Sequence, residues 1–465
     1  MSIQYDLIVI GAGPAGTPAA TAAAMFGLKV LLVDKKAAPG GECLFEGCIP
    51  SKVLENAANH YASVAHSDMF HIELDGQEQI HWEKVLQDKD EILKKRSMAA
   101  LSQINQLPNI DYKQKNAKFM DAHSVQIGDE VFTFKKALIA TGGKTAMPNI
   151  QGNGIDKVWT NRDVFFEEKL PEEILFIGAG AISCELTQMF NKLGVECHIL
   201  ERSERILKHL SEDSALSVQK RMVESGIKLD LNVALESVDF EKGVFHVTFT
   251  QDGKSKTVTN TNVLMATGRI ANVDGLGLEN AGVEYDKNGV IVNEKLQSSQ
   301  PDIYACGDAI KGPKFAHTAS YEAGIVVHNM FSPSSPHRVD FSKNSWVLFS
   351  DPQVGVAGID EQTAKKDAMD VDIEIYDYAQ DARAQIDKQT VGFVKFVIDK
   401  KTKVIVGVEI VSEDASSLIG EASLIVANKM TAMDVMSAIH PHPTLTESFG
   451  KLAQQIFLKS MMKRG

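Results

Sequence analysis

One pattern occurs twice in this chain and constrains its fold more than any other feature. It is an apolar strand, a glycine turn, a helix, a second strand and a terminal acid. The first copy runs through "YDLIVI", "GAGPAG", "TPAATAAAMFG" and "LKVLLVD" and ends on Asp34. Gly11, Gly13 and Gly16, with Pro14 and Ala15 between them, permit a tight turn and a close backbone approach. The helix start then faces a pyrophosphate, and the Asp34 carboxylate, followed by Lys35, accepts from a ribose hydroxyl. A strand-to-helix glycine turn alone is the plainer reading. The strands, helix and distal acid in register favour a dinucleotide cradle.

The second copy is "EILFIGAGAISCELTQMFNKLGVECHILE". Gly178 and Gly180 hold the first two glycine positions, Ala181 and Ile182 open the helix, and Ser183 takes the third position. Its small side chain still lets helix approach strand. Two cradles imply two dinucleotides. Glu201 at the end of the second suits a free 2′-hydroxyl and repels a 2′-phosphate, which favours NAD over NADP. Arg202 and Arg205 lie close enough to temper that preference.

Each cradle is followed by an apolar strand running into Thr-Gly, "ALIATGG" with Thr141 and Gly142 and "VLMATGR" with Gly268. The recurrence points to two related folding units. "DIYACGDA" is a further strand whose carboxyl end carries Asp308, where doubly wound sheets place ligands. Asp308 suits a polyol hydroxyl; a helix N-cap is the alternative.

With 465 residues, the chain exceeds one ordinary core, and two to four domains are expected. Its 44% hydrophobic and 23% charged residues describe a globular protein, and a net charge of −13 argues against a nucleic-acid-binding surface. No uninterrupted apolar span reaches membrane length, and "MSIQYDLIVIGAG" lacks a basic leader or cleavage-like site. A cytoplasmic location is therefore expected.

Of five cysteines, Cys43 and Cys48 stand close together in "GGECLFEGCIPSK". A chain this poor in cysteine suits a reducing compartment, where a close pair is redox-active or metal-binding more often than structural. Zinc needs two further ligands, and no Cys-x-x-Cys or His-x-x-x-His spacing supplies them. A structural bridge across so small a loop stabilises little. Redox chemistry leads. The glycine pair brings the chain to a helix start, expected to favour thiolate, and Pro50 is expected to open the local turn. Cys184, Cys197 and Cys306 read as core filler. Near the C-terminus, "HPHPTLTE" offers His442 as a proton acceptor, with Glu447 placed to set its tautomer. A proline-rich loop with surface histidines is the plainer alternative, and His440 is a competing base.

Taken together, the two "ATG" segments, "YACGDA", "GGECLFEGCIPSK" and "HPHPTLTESF" give the chain an end-to-end resemblance to the class I pyridine nucleotide–disulfide oxidoreductases. "CIPSK" with the histidine motif makes it most similar to the dihydrolipoamide dehydrogenase branch. The resemblance implies two doubly wound, Rossmann-like α/β dinucleotide-binding domains plus a C-terminal α+β dimerisation domain. The expected segments are an FAD-binding domain over 1–145, an NAD-binding domain over 146–269, a return to the FAD side over 270–340 and the interface domain over 345–465.

By the same resemblance, FAD is expected on Gly11, Gly13, Pro14, Ala15, Gly16, Asp34, Lys35, Gly41, Lys52, Ala117, Thr141, Gly142, Asp308, Ala316 and His317. NAD is expected on Gly178, Gly180, Ala181, Ile182, Glu185, Glu201, Arg202 and Gly268. A helix beginning near Ala316 and His317 is expected to direct its positive end to the flavin. Lys52 is expected to pair with Glu185. Cys43 and Cys48 form the redox disulfide, Cys48 toward the flavin and Cys43 toward substrate, with His442 and Glu447 as the base dyad. A homodimer sharing active sites, a dithiol substrate and the lipoyl domain of a 2-oxo acid dehydrogenase complex are the implied partners. No metal, nucleic acid or membrane enters.

Departures from the branch surround the disulfide. Glu42 replaces the usual threonine, "LFE" is bulkier and more acidic than the usual insert, and "AHTASYEAG" is less charged. Acid there is expected to disfavour anionic disulfides such as glutathione. A mercuric reductase carries a vicinal cysteine pair at its end, where this chain reads "KSMMKRG"; glutathione reductase fits "CIPSK" and Glu201 less well; a transhydrogenase needs no cysteine pair. A low-turnover redox-sensing flavoprotein is the alternative from a different class.

Overall fold

The computed structural model describes residues 3–75 and 79–462, so the last three residues of "KSMMKRG" lie outside the described part. The chain divides into two compact units. The first comprises Met1–Asn149, Val158–Pro171 and Leu264–Val339; the second comprises Ile150–Lys157, Glu172–Val263 and Asp340–Gly465.

In the first unit the apolar run after Met1 forms β1 (Ile3–Ile10). The alanine-rich segment beyond the glycine turn forms α1 (Gly16–Met25), and "VLLVD" forms β2 (Val30–Asp34). Alanine is the best helix former and buries no polar atom, so α1 packs flat on the sheet through Ala19, Ala20 and Ala23. The cysteine segment is helical in two pieces, α2 (Gly41–Phe45) and α3 (Cys48–Ala65), followed by α4 (Trp82–Asn105). Pro50 does not open the turn. It lies buried in the first turn of α3, where a missing N–H leaves no hydrogen bond unmade.

Strand β3 (Ile110–Gln114) joins the sheet, followed by β4 (Ala117–Asp121), β5 (Ser124–Ile127) and β6 (Glu130–Ile139). The order is β3-β2-β1-β6-β5-β4, and the returning strand Ile303–Ala305 also pairs with β6. Strand β6 is shared along its length. Its first half takes β5 antiparallel, with Thr133 opposite Ser124, and its second half takes Ile303–Ala305 parallel, with Ile139 opposite Ala305. Because Ile139 also faces Ile10, and Ile10 faces Val33, four strands end at one edge. There the chain places Gly11, Asp34, Thr141 and Asp308. Residues Leu7, Val9, Leu31, Leu138 and Val326 fill the core behind that edge.

In the second unit β7 (Glu173–Ile177), α5 (Ala181–Lys192), β8 (Glu196–Leu200), α6 (Glu212–Glu224) and β9 (Lys228–Asp230) repeat the doubly wound plan. Strands β9, β8 and β7 are parallel neighbours, with Ile177 opposite Leu200 and Leu200 opposite Asp230. Beyond Asp340, five antiparallel strands run in the order 345–348, 353–358, 405–412, 393–399, 371–377. Helices Ala415–Ala427 and Glu447–Met462 contribute Leu418, Ala422, Phe449 and Leu452 to the core over Val394, Phe396, Val408 and Ile410. This is the α+β portion expected from about residue 345. No described helix is long and apolar enough to cross a membrane.

Candidate active site

The first glycine turn is built by close approach. A Cβ at Gly16 would sit 1.8 Å from the Gly11 carbonyl oxygen, and one at Gly41 would sit 2.6 Å from the Gly13 Cα. Gly41 therefore lets the cysteine segment lie directly on the turn, and the Gly40 N–H fastens it by donating to the Ala12 carbonyl at 2.7 Å. Asp34 accepts from the Ala12 N–H at 2.7 Å through one oxygen and from the Lys36 N–H at 2.9 Å through the other. Helix Ala316–Phe331 starts where expected, after Phe315. His317 stacks on Phe315, and the Ser320 hydroxyl donates to the Pro14 carbonyl at 2.8 Å. Ala117 opens β4, buried and paired with Ile127, and Lys52 is ion-paired with Glu55.

Cys43 lies in α2, and Cys48 is the exposed first residue of α3. A hydrogen bond to the Cys48 thiol and burial push the Cys43 thiol up, with Arg96 pulling weakly the other way. Cys43 lies in the first turn of α2, and the neighbouring thiol and burial oppose the thiolate that a helix start favours. That helix has five residues, and the N-terminus of the longer helix belongs to Cys48.

Asp308 does not cap a helix. It lies in a 3-10 turn, Gly307–Ala309, and accepts from Arg269 Nε at 3.1 Å and Nη2 at 3.0 Å. Arg269 also holds both oxygens of Glu42, Nη1 to Oε1 at 2.8 Å and Nη2 to Oε2 at 2.9 Å. Arg162 Nη2 and Asn161 Nδ2 complete the set, each donating to Glu42 at 3.1 Å. Burial raises the Glu42 carboxyl, but Arg269, Arg162 and Asn161 outweigh it and bring it down to about 2. Glu46 is likewise ion-paired with Lys36 and with Arg162. The expected repulsion of anionic disulfides loses its basis, because both acids are compensated by cations. Sequence reasoning missed Arg162, Asn161 and Lys314, whose ammonium donates to the carbonyls of Asp308 and Ile310 at 2.8 and 2.6 Å. Arg269 alone left a signal, the arginine standing where the first "ATG" is followed by Gly143.

In the second unit Glu201 is buried and accepts from the Ala179 N–H at 2.7 Å and the Ser203 N–H at 2.8 Å. The carboxylate thus closes the second glycine turn as Asp34 closes the first. Arg205 spends its guanidinium on backbone carbonyls, including Leu207 at 2.9 Å and Leu210 at 2.8 Å, while Arg202 is exposed. Glu185 on α5 accepts from the Phe349 N–H at 2.9 Å. Gly268 belongs to the first unit, where its carbonyl accepts from the Ala146 N–H at 2.9 Å.

His442 and Glu447 also meet in the second unit. The ring Nδ1 lies 3.2 and 3.1 Å from the two carboxylate oxygens, one of which also accepts from the Thr444 N–H at 3.1 Å. Burial raises the Glu447 carboxyl, and Thr444, His442 and Lys451 more than reverse it, leaving it below its ordinary range. His442 is 71% exposed at its side chain, so its second nitrogen is open to a reactant. His440 is not the equivalent. It is nearly buried, and its Nε2 is engaged by Glu421 at 2.8 Å.

Two comparisons of sequence agree with this geometry. Residues 5–323 match the family described as pyridine nucleotide-disulphide oxidoreductase, and residues 344–453 match that family's dimerisation domain. The chain belongs to the pyridine nucleotide-disulphide oxidoreductases. It is similar to a dihydrolipoyl dehydrogenase of Bacillus subtilis, 35% identical over 96% of this chain and 95% of the relative. A mercuric reductase of Lysinibacillus sphaericus is 33% identical over 99% of this chain and 84% of its own length. Among solved structures, the HOCl-induced flavoprotein disulfide reductase RclA from Escherichia coli superimposes with a TM-score of 0.85 at 24% identity, covering 97% of this chain and 100% of its own. Membership implies FAD and NAD(P) as cofactors, and the dimerisation domain supports a homodimer.

The residues present fit both cofactors. Thr141 Oγ1 is buried without a hydrogen-bond partner at the edge where Gly11, Asp34 and Asp308 meet, and Ser183 Oγ is buried likewise at the second turn. A Cβ at Gly13 would meet only the Gly41 Cα at 3.7 Å, and one at Gly180 would meet nothing within 4 Å. Both turns therefore keep an open face for a pyrophosphate.

Proposed function

We propose that this oxidoreductase oxidises dihydrolipoamide, free or on the lipoyl domain of a 2-oxo acid dehydrogenase complex, with NAD+ as acceptor and Cys43 and Cys48 as its redox pair. The observation that carries the reading is the seating of the cysteine segment on the first glycine turn, through Gly40 on Ala12 and Gly41 on Gly13. A disulfide held there has a cofactor cradle for its immediate neighbour.

His442 takes a proton from a substrate thiol at the ring nitrogen left open by Glu447, and the carboxylate stabilises the imidazolium that forms. The substrate thiolate attacks Cys43 Sγ and displaces Cys48 as thiolate. The second substrate thiolate then attacks its own sulfur in the mixed disulfide, releasing cyclic disulfide and leaving Cys43 reduced. A bound FAD supplies the relay of that electron pair to NAD+ as hydride. Asp34 and Asp308 would hold its ribose and ribityl hydroxyls, and the start of helix Ala316–Phe331 would face its reducible ring. Glu201 would hold the ribose of NAD, and with Arg205 committed to carbonyls the free 2′-hydroxyl is preferred. The dyad of one subunit would serve the cysteine pair of the other.

A second reading, a related reductase of another small disulfide, is favoured by Glu42 and the "LFE" insert beside Cys43. Anaerobic reduction of the purified yellow protein with NADH, followed by a panel of disulfides, separates the two. A long-wavelength charge-transfer band with turnover of lipoamide, and not of glutathione disulfide, is the expected result. The band without lipoamide turnover selects the second reading, and flavin bleaching without any band removes the cysteines from both.

A further inference from the structure

Resting on the reading of Cys43 and Cys48 as the redox pair, we infer that Glu42 is a positioning residue. Its charge, balanced by Arg162 and Arg269, sets the electrostatics of the cysteine pair and holds the Asp308 turn to the cysteine helix.

The geometry of the clamp is specific. Glu42 immediately precedes Cys43, and each of its oxygens receives two hydrogen bonds, from three side chains on two distant segments. Arg269 is the bridge, planar and bidentate toward Glu42 while the same guanidinium holds Asp308. The space beside them is closed, because a Cβ at Gly143 would lie 3.1 Å from Asp308 Oδ2 and 3.2 Å from Arg269 Nη2. Side-chain exposures of 18% for Glu42, 21% for Arg269 and 18% for Asp308 keep solvent from screening these charges.

The charges also balance. Glu42, Glu46 and Asp308 face Lys36, Arg162 and Arg269 through the ion pairs of the cluster, and Lys314 beside the Asp308 turn is matched by Glu322. On the helices packed against α2, Lys52 is matched by Glu55, and Arg96 acts on Cys43 from α4. A negative charge one residue from Cys43 opposes thiolate formation there. The two arginines cancel that opposition, so a shift of one charge in either direction must change thiol reactivity.

The test uses reduced full-length protein and the pH profile of iodoacetamide alkylation, with midpoint potential of bound FAD as a second readout. Glu42→Gln leaves an uncompensated arginine and is expected to speed alkylation near neutral pH about tenfold, the equivalent of one pKa unit. Arg162→Met is expected to slow it by a similar factor, and the Glu42→Gln/Arg162→Met double variant to return to the wild-type profile. The flavin potential should rise, fall and return in the same order. Glu42→Asp keeps the charge and should leave the profile in place, which guards against loss of folding in the glutamine variant. Unchanged rates in both single variants, or shifts in the same direction, overturn the inference. A wild-type protein that holds no FAD overturns the functional reading instead, while the alkylation profiles still decide the clamp.

Discussion

Lys395 and Glu409 stand opposite one another on adjacent antiparallel strands, Nζ to Oε2 at 3.1 Å, and both side chains are 0% exposed. Lys395 also reaches Asp213 at 2.6 Å and Glu361 at 3.1 Å, while Glu409 accepts from Ser211 and Ser214 at 2.7 and 2.6 Å. The pair thus ties the start of α6 to the five-stranded sheet within the second unit. Removing one partner strands the other charge in the interior, whereas removing both strands neither of the two and leaves only the weaker contacts to Asp213, Glu361, Ser211 and Ser214 unmade. Lys395→Met is therefore expected to cost about 3–5 kcal/mol, and Lys395→Met/Glu409→Met to recover most of it. Urea unfolding of the three proteins checks this; equal losses in single and double variants would refute it. In the single variant the defect should shrink at low pH, where Glu409, already raised by burial, takes up a proton.

Glu322 on helix Ala316–Phe331 is almost fully buried. One oxygen accepts from the Gly307 N–H at 2.6 Å and the other has no hydrogen-bond partner among the described residues. Burial pushes its carboxyl up to about 7. The folded value lies above the ordinary 4.5, so its contribution is fully present below pH 4.5 and is lost as pH rises through 7. Wild-type stability is expected to fall by about 3 kcal/mol across this window on account of this group. Glu322→Gln should flatten that slope in denaturation curves at pH 5 and pH 8, and parallel slopes would exonerate Glu322.

Cys48→Ser should abolish disulfide turnover while preserving NADH oxidation by artificial acceptors. Steady-state assays with lipoamide and with a dye acceptor make the comparison, and retained lipoamide turnover would remove Cys48 from the redox pair.

His442→Gln should slow lipoamide-dependent turnover by a factor of about 100 or more, the usual range for a lost general base, without loss of FAD. Unchanged kinetics would exclude the base role and leave the dyad structural.

Glu201→Ala should destabilise the second glycine turn, because the Ala179 and Ser203 N–H groups lose their acceptor. It should also raise kcat/KM for NADPH relative to NADH by about tenfold, the worth of roughly 1.4 kcal/mol. The ratio of kcat/KM values for the two nucleotides is the measurement, and an unchanged ratio would assign the preference elsewhere.

Much of the site is legible along the chain because its parts are local. Asp34 closes its turn from 22 residues away, Glu201 does the same at the same separation, and His442 meets Glu447 five residues on. Spacing that short is written in strand and helix lengths, so residue order alone exposes it. The charge environment of Cys43 is different. The partners of Glu42 lie 119, 120 and 227 positions away, Asn161 and Arg162 on a turn without a repeated motif and Arg269 at the start of a short strand after the second "ATG". Read in isolation, Glu42 and Glu46 look like free acids that repel anionic substrates. Folding brings Arg162 and Arg269 to them and reverses that meaning.

The amino-acid order by itself determined the two nucleotide cradles, the cysteine pair and the histidine dyad, since each depends on neighbours within one strand–turn–helix unit or one short motif. Only the tertiary structure decided which charges are compensated, why His440 is committed to Glu421 while His442 stays open, and where Pro50 lies in α3. Electrostatic interactions depend on distance through space and on exclusion of water, and both come into being when segments far apart in the chain close around one another.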